Sequence, residues 1–339
     1  MNNYKIFILL LLLVPFSLFS DSFILNEVNE PKTLNISGDK LIISESESIL
    51  IYSLSNKKLI KKFGKNGEGP GEFKLGHGAG SLKIDMIENQ LVVNSGGKLS
   101  WFTDNGEFIK EEKIPPMSYI IPFRENFVGN CTSPVEGNFP SLSVCIFDKN
   151  LKNKEVIFNS NVPVGMGAKI MVPTYKFIYR VYKDRIYLAT GKNDIEVGIF
   201  TGKSERSGGF KLENSSLKIN NKFKERVYDF YKNDPVYKNY WNYMKQNMFF
   251  PEYFPGLKDM RINNDRIYIQ TYKLTDSKFE WIITDLKGNI QKKILLPQNI
   301  ESAIAYSPIA VSNGKYFYLT EDLDEETWEL HSLDLEKLK

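Results

Sequence analysis

Six short apolar runs rich in β-branched and aromatic residues recur along the chain: Leu41–Ser44, Leu91–Asn94, Phe127–Asn130, Ile186–Ala189, Ile267–Gln270 and Tyr316–Thr320. Each follows a polar turn: Gly38-Asp39-Lys40, Glu88-Asn89-Gln90, Arg124-Glu125-Asn126, Lys183-Asp184-Arg185, Asn264-Asp265-Arg266 and Asn313-Gly314-Lys315. A further apolar stretch precedes every turn, so each pair reads as a tight hairpin. A second hairpin follows the first five, turning at Ser55-Asn56-Lys57, Asp104-Asn105-Gly106, Asp148-Lys149-Asn150, Gly202-Lys203-Ser204 and Lys287-Gly288-Asn289. The repeating unit is therefore a four-stranded antiparallel meander. Six such units of roughly forty to fifty residues predict an all-β fold, a six-bladed β-propeller.

The sixth unit runs out of chain before a fourth strand, whereas Phe23–Val28 forms an orphan strand near the N-terminus. Placing that strand at the outside of blade six would close the ring and cover an exposed sheet edge. Between blades four and five the periodicity changes. Phe223, Val227 and Phe230 recur at helical spacing, Asp234-Pro235 resembles an N-cap followed by a first-turn proline, and Val236, Tyr240, Trp241 and Met244 continue a second apolar face. A helical insert over about 218–256 is expected, ending in the aromatic segment Met248–Gly256 and packing on the propeller as a lid.

Residues 1–20 read as a secretory signal peptide. Lys5 supplies a short positive region, Ile6 to Val14 an apolar run, and Pro15 to Ser22 a breaker with small residues. The run is short for a membrane span, although an uncleaved anchor is the alternative. Residues 21–339 then form one propeller domain with no membrane span, exported to the periplasm or to the cell surface, or secreted. The two cysteines, Cys131 and Cys145, lie in neighbouring strand-like runs. They would form a hairpin disulfide in an oxidising compartment or serve as two buried small apolar residues.

The segment Gly64-Lys-Asn-Gly-Glu-Gly-Pro-Gly-Glu-Phe73 lies between the outer strand of one unit and the inner strand of the next. It resembles a motif of exported bacterial six-bladed propellers of the TolB-like, NHL-repeat-related family, and Phe250–Pro255 is similar to the same family. Blades three and four lack the glycine motif and rest on turn spacing. The glycines invite comparison with a phosphate-binding loop, but neither a Gly-Lys-Ser/Thr ending nor a following helix is present. They read as a structural connection.

The net charge of +3, with 44 basic and 41 acidic residues interspersed, gives no basic stripe for nucleic acid. Two histidines and two cysteines cannot assemble a multi-histidine zinc site. No Gly-x-Ser-x-Gly elbow is present. His77 is the one histidine on the expected functional face and the sole candidate base.

Topology specifies that face. Connections from each outer strand to the next inner strand emerge on the same side as the loops between second and third strands. Lys83, Asp85, Arg180, Asp259 and Arg261 should line the channel beneath it. Lys83, Lys169, Arg180 and Arg261 could recognise an anion, or the channel charges could pair with Asp85 and Asp259. Tyr175, Trp241, Tyr253 and Tyr306 are the aromatic candidates for a partner. Glu45, Glu47, Asp322 and Asp324 lie on loops of blades one and six, neighbours in a closed ring, where oxygen ligands could gather around Ca²⁺.

The resulting expectation is a monomeric, non-catalytic binding propeller of the cell envelope. It would need no obligatory cofactor and would hold a peptide, glycan or protein partner on the loop face. The alternative is a calcium-dependent hydrolase or lyase with its site in the channel. A purely structural envelope role, using blade edges, is a third possibility.

Overall fold

The computed structural model describes residues 21–73, 82–115, 119–134, 140–163, 168–173, 177–191, 194–202, 204–235, 237–299 and 308–338. They form six four-stranded antiparallel sheets arranged as a propeller. Blade one is typical, with an inner strand Thr33–Ser37, then Lys40–Ser44, Ile49–Ser53 and an outer strand Lys58–Phe63. The inner strands of the other blades are Lys83–Ile87, Ile120–Phe123, Phe177–Tyr182, Asp259–Asn263 and Ile309–Ser312. Blades three and four form complete four-stranded sheets without the glycine motif.

The hairpins owe their tightness to turn residues with positive φ. Glu88-Asn89, Lys183-Asp184, Asn264-Asp265 and Asn313-Gly314 have positive φ at both central positions. That backbone matches the right-handed twist of the strands it joins. Alternation along each strand then feeds two different cores. In blade one, Leu41, Ile43, Leu50 and Tyr52 pack against Phe317, Leu319 and Leu330 of blade six. Their intervening neighbours Ile42, Ile49 and Ile51 face Leu91, Val93 and Phe102 of blade two. Four further apolar clusters fill the remaining blade interfaces. This two-faced burial explains why the second and third strands read as continuous apolar runs.

The N-terminal strand is Asp21–Leu25, slightly earlier than the orphan run read from the sequence. It pairs antiparallel with Thr327–Asp334 and occupies the outside of blade six, from Asp21 opposite Ser332 to Leu25 opposite Trp328. Leu25 and Val28 are buried in the interface between blades six and one.

The glycine segment folds as a structural connection. Gly64 has φ +93°, and an added Cβ would meet the Phe73 ring, which is fully buried between blades one and two. Glu72 accepts the Gly69 N–H at 2.9 Å and pairs with Lys65 at 2.9 Å. The ammonium of Lys98 donates to the carbonyls of Gly69, Glu72 and Glu68 at 2.8, 3.2 and 3.3 Å.

Within the insert, α1 spans Asn221–Asn233 and α2 spans Trp241–Asn247. Asn220 caps α1 by accepting the Phe223 N–H at 2.9 Å. Asp234 ends α1, its own N–H bonding to the Phe230 carbonyl, while its side chain accepts the Tyr237 N–H at 3.2 Å. The second helical run begins only at Lys238, as a 3₁₀ turn, and not at Pro235. Tyr240, assigned from spacing to the apolar face, is 65% exposed. Phe223, Val227, Met244 and Met248 enclose a separate small core with Val172. Among the described residues, no helix is long and apolar enough to cross a membrane.

Candidate functional site

The inner strands of four blades carry Asn35, Asp85, Arg180 and Arg261 at one register position, each opposite the third residue of its blade's second strand. These side chains line a cavity of about 280 Å³ together with Thr33, Leu34, Lys83, Ile84, Tyr119 and Asn130. Five blades contribute. The lining comes mostly from the first halves of the inner strands, on the side where the outer-to-inner connections enter.

Asp259 organises the cationic side of the channel. Its carboxylate lies 2.9 Å from Arg261 Nε and 3.3 Å from Arg180 Nη2, and it accepts the Met260 N–H at 2.8 Å. Burial opposes its charge, but Arg261, Arg180 and Lys258 outweigh that cost and hold its pKa below the ordinary value. Asp85 behaves in the opposite way. Burial raises its pKa despite the Tyr119 hydroxyl, which donates to its two oxygens at 2.9 and 2.7 Å, and despite Arg180, Arg261 and Lys83.

A backbone-anchored frame holds Tyr119. Its carbonyl accepts from Tyr179 Oη at 2.8 Å and from the Asn130 N–H at 3.0 Å. Asn94 of blade two both donates to and accepts from the backbone of Ile120, at 2.9 Å each, which locks blade three against its neighbour. Charge pairing expected for Arg180 and Arg261 is therefore present with Asp259, whereas Asp85 is engaged by a tyrosine. Asn35, Tyr119 and Asn130 were not anticipated. Asn35 is uncharged, and Tyr119 precedes the first paired residue of its strand.

Of the remaining candidates, Lys169, Trp241 and Tyr253 are described, and none of them is in this cavity's lining. Lys169 is exposed just before Ile170–Met171, which pairs in parallel with Met248–Phe249 and so ties the blade three–four connection to the insert. Trp241 is half-buried against Tyr228, ring centroids 5.7 Å apart, and Tyr253 is 36% exposed. His77, Tyr175 and Tyr306, like residues 1–20, lie outside the described residues. His331 stacks on Tyr318 and bonds Thr320 at 2.7 Å on the third strand of blade six, away from the channel.

The proposed calcium ligands are dispersed into other work. Glu45 is buried and accepts from the Asn29 N–H at 2.7 Å and Ser48 Oγ at 2.8 Å, with Lys62 at 3.0 Å. It clamps the chain leaving the N-terminal strand. Asp322 accepts the N–H groups of Asp324 and Glu325 within its own loop, while Glu47 and Asp324 are exposed. Among the described residues, no three acidic, histidine or cysteine side chains converge on a metal-sized point.

Cys131 and Cys145 form a disulfide between the second and third strands of blade three, with Cα atoms 6.0 Å apart. A larger cavity of about 500 Å³ lies on the flank of blade five. Its lining, which includes Lys273, Lys278, Glu280 and Leu295, comes from that blade's second, third and outer strands plus Leu338. It gathers no side chains from the channel.

No protein family and no curated protein matches this chain in sequence. Among solved structures, it is similar to the β-propeller domain of the Trilobed protease from Pyrococcus furiosus, at 14% identity and a TM-score of 0.43, over 91% of this chain and 82% of that one. It is also similar to the acylaminoacyl peptidase of Pyrococcus horikoshii, at 13% identity and a TM-score of 0.43, over 89% of this chain and 45% of that one. A third likeness is to the AfRom2 CNH domain, at 11% identity and a TM-score of 0.40, over 94% of this chain and 98% of that one.

Proposed function

We propose that the chain is an exported, non-catalytic binding propeller of the cell envelope, of the TolB-like, NHL-related kind. It acts as a monomer and takes its ligand or partner on the loop face around the channel. The observation that carries this reading is the convergence of five blades on one polar cavity. Asp85, in its lining, is bonded to a tyrosine, and Asp259, behind the lining, is bonded to the two arginines, so neither is aimed at a nucleophile. The disulfide favours export, because such bonds persist in oxidising compartments. Lys83, Arg180 and Arg261 in one cavity oppose a divalent cation, which sets the calcium-dependent enzyme behind the binding module.

The exposed residues Lys169 and Tyr253 provide a test on the loop face that leaves the channel intact. Wild-type protein incubated with native envelope extract is expected to retain a partner. The double variant Lys169→Gln, Tyr253→Ala should recover that partner at least about tenfold less, the scale set by one or two central contacts. Equal recovery by both proteins would remove the loop face from the account.

A further inference from the structure

We propose that the channel cavity binds a small organic anion, a carboxylate on a short hydrocarbon body, with Lys83, Arg180 and Arg261 holding its charged end. This deepens the reading of the channel as a binding site and rests on it.

Charge is the first reason. Among the described residues, Lys83, Arg180, Arg261 and Asp85 line the cavity and Asp259 is bonded to both arginines behind it, so three cations meet two carboxylates. Asp259 remains charged between its arginines, with Lys258 behind it. Asp85, beside Tyr119, is the carboxyl that burial pushes toward its neutral form, which would enlarge the excess. A narrow channel walled by protein focuses such a field. Guanidinium groups also suit carboxylates, because their planar forks match the two oxygens.

Size and apolar lining supply the organic part. Leu34 and Ile84, both buried, border the same space as the cations. The volume of about 280 Å³ corresponds to roughly nine waters in the liquid, so a ligand of about that many non-hydrogen atoms fits. A bare inorganic ion would leave most of it unfilled. The buried Asn130 side-chain oxygen has no hydrogen-bond partner among the described residues, and that amide can present either its oxygen or its NH₂ to a ligand.

Calorimetric titration of the protein with succinate at low salt tests the assignment. Binding is expected with a Kd of about 1 mM or tighter, and uncharged dimethyl succinate should not bind. Lys83 is exposed, so Lys83→Gln should keep the wild-type unfolding midpoint and weaken succinate about tenfold, as loss of one charge-assisted contact does. Added salt should weaken it further.

Three outcomes would overturn the proposal: no succinate binding at about ten times that concentration, unchanged affinity in Lys83→Gln, or equal binding of the ester. Tighter binding of inorganic phosphate than of succinate would overturn the organic body. Protein that retains its envelope partner yet ignores succinate would refute the anion alone. Loss of succinate in Lys83→Gln, with recovery unaffected in the Lys169, Tyr253 variant, would refute the loop-face partner alone.

Discussion

Deleting residues 21–28 is expected to lower the unfolding free energy by at least about 4 kcal/mol and to drive the protein into oligomers. The figure comes from two fully buried aliphatic side chains, Leu25 and Val28, at about 2 kcal/mol each. Losses beyond them are real as well. The strand supplies five register pairs to Thr327–Asp334, and Glu27 accepts the Tyr52 hydroxyl at 2.7 Å. Without the strand, the third strand of blade six presents an unpaired ladder of N–H and C=O groups to solvent and to other copies. Denaturant unfolding and light scattering of the truncated protein check both parts. A monomeric truncation with an unchanged midpoint would mean that the ring does not depend on this clasp.

Asp259→Asn is expected to cost about 3 kcal/mol at neutral pH, the scale for removing one member of a buried ionic group. The Asp259 side chain is only 14% exposed and lies between two guanidinium groups. Asparagine keeps the shape but removes the carboxylate charge bonded to both Arg180 and Arg261, and its NH₂ turns a donor toward donors. Asp85→Asn should cost less than about 1 kcal/mol, because the Tyr119 hydroxyl can still donate to an amide oxygen and the lost charge is one that burial disfavours.

The two carboxylates should also respond oppositely to pH. The folded pKa of Asp259 is lowered, so its contribution to stability is complete above its unfolded pKa and disappears as pH falls through the folded one. The gap between wild type and Asp259→Asn therefore closes in acid. Asp85 has a raised folded pKa, so its contribution is complete below the unfolded pKa and is lost as pH rises through the folded one. Denaturation midpoints across pH for both variants provide the measurement. Equal costs with parallel pH curves would contradict the assigned roles.

The blade count was legible because every blade announces itself in short polar turns. Those turns need residues tolerant of positive φ, and Glu88-Asn89 or Asn313-Gly314 supply them locally. Lys83, Asp85, Arg180, Asp259 and Arg261 could be placed in the channel by counting back from the same turns. Sequence reasoning failed where partners lie far apart in the chain. Glu45 looks like a loop carboxylate available for calcium, yet Asn29 and Lys62 occupy it. Asp234 does cap the turn that follows it, through its side chain and carbonyl, but the helical run itself starts at Lys238, three residues beyond Pro235. Tyr119 becomes part of the site only through Asp85 of blade two and Tyr179 of blade four, and no local pattern marks that meeting.

Crystals of the full protein grown with succinate would test most directly that the first half of the channel is the binding site of a closed six-bladed ring. The expected result is density for one succinate among Lys83, Arg180 and Arg261, with Asp21–Leu25 paired to the third strand of blade six. Succinate seated instead on the flank of blade five, beside Lys278 and Leu295, with the channel holding none, would contradict it.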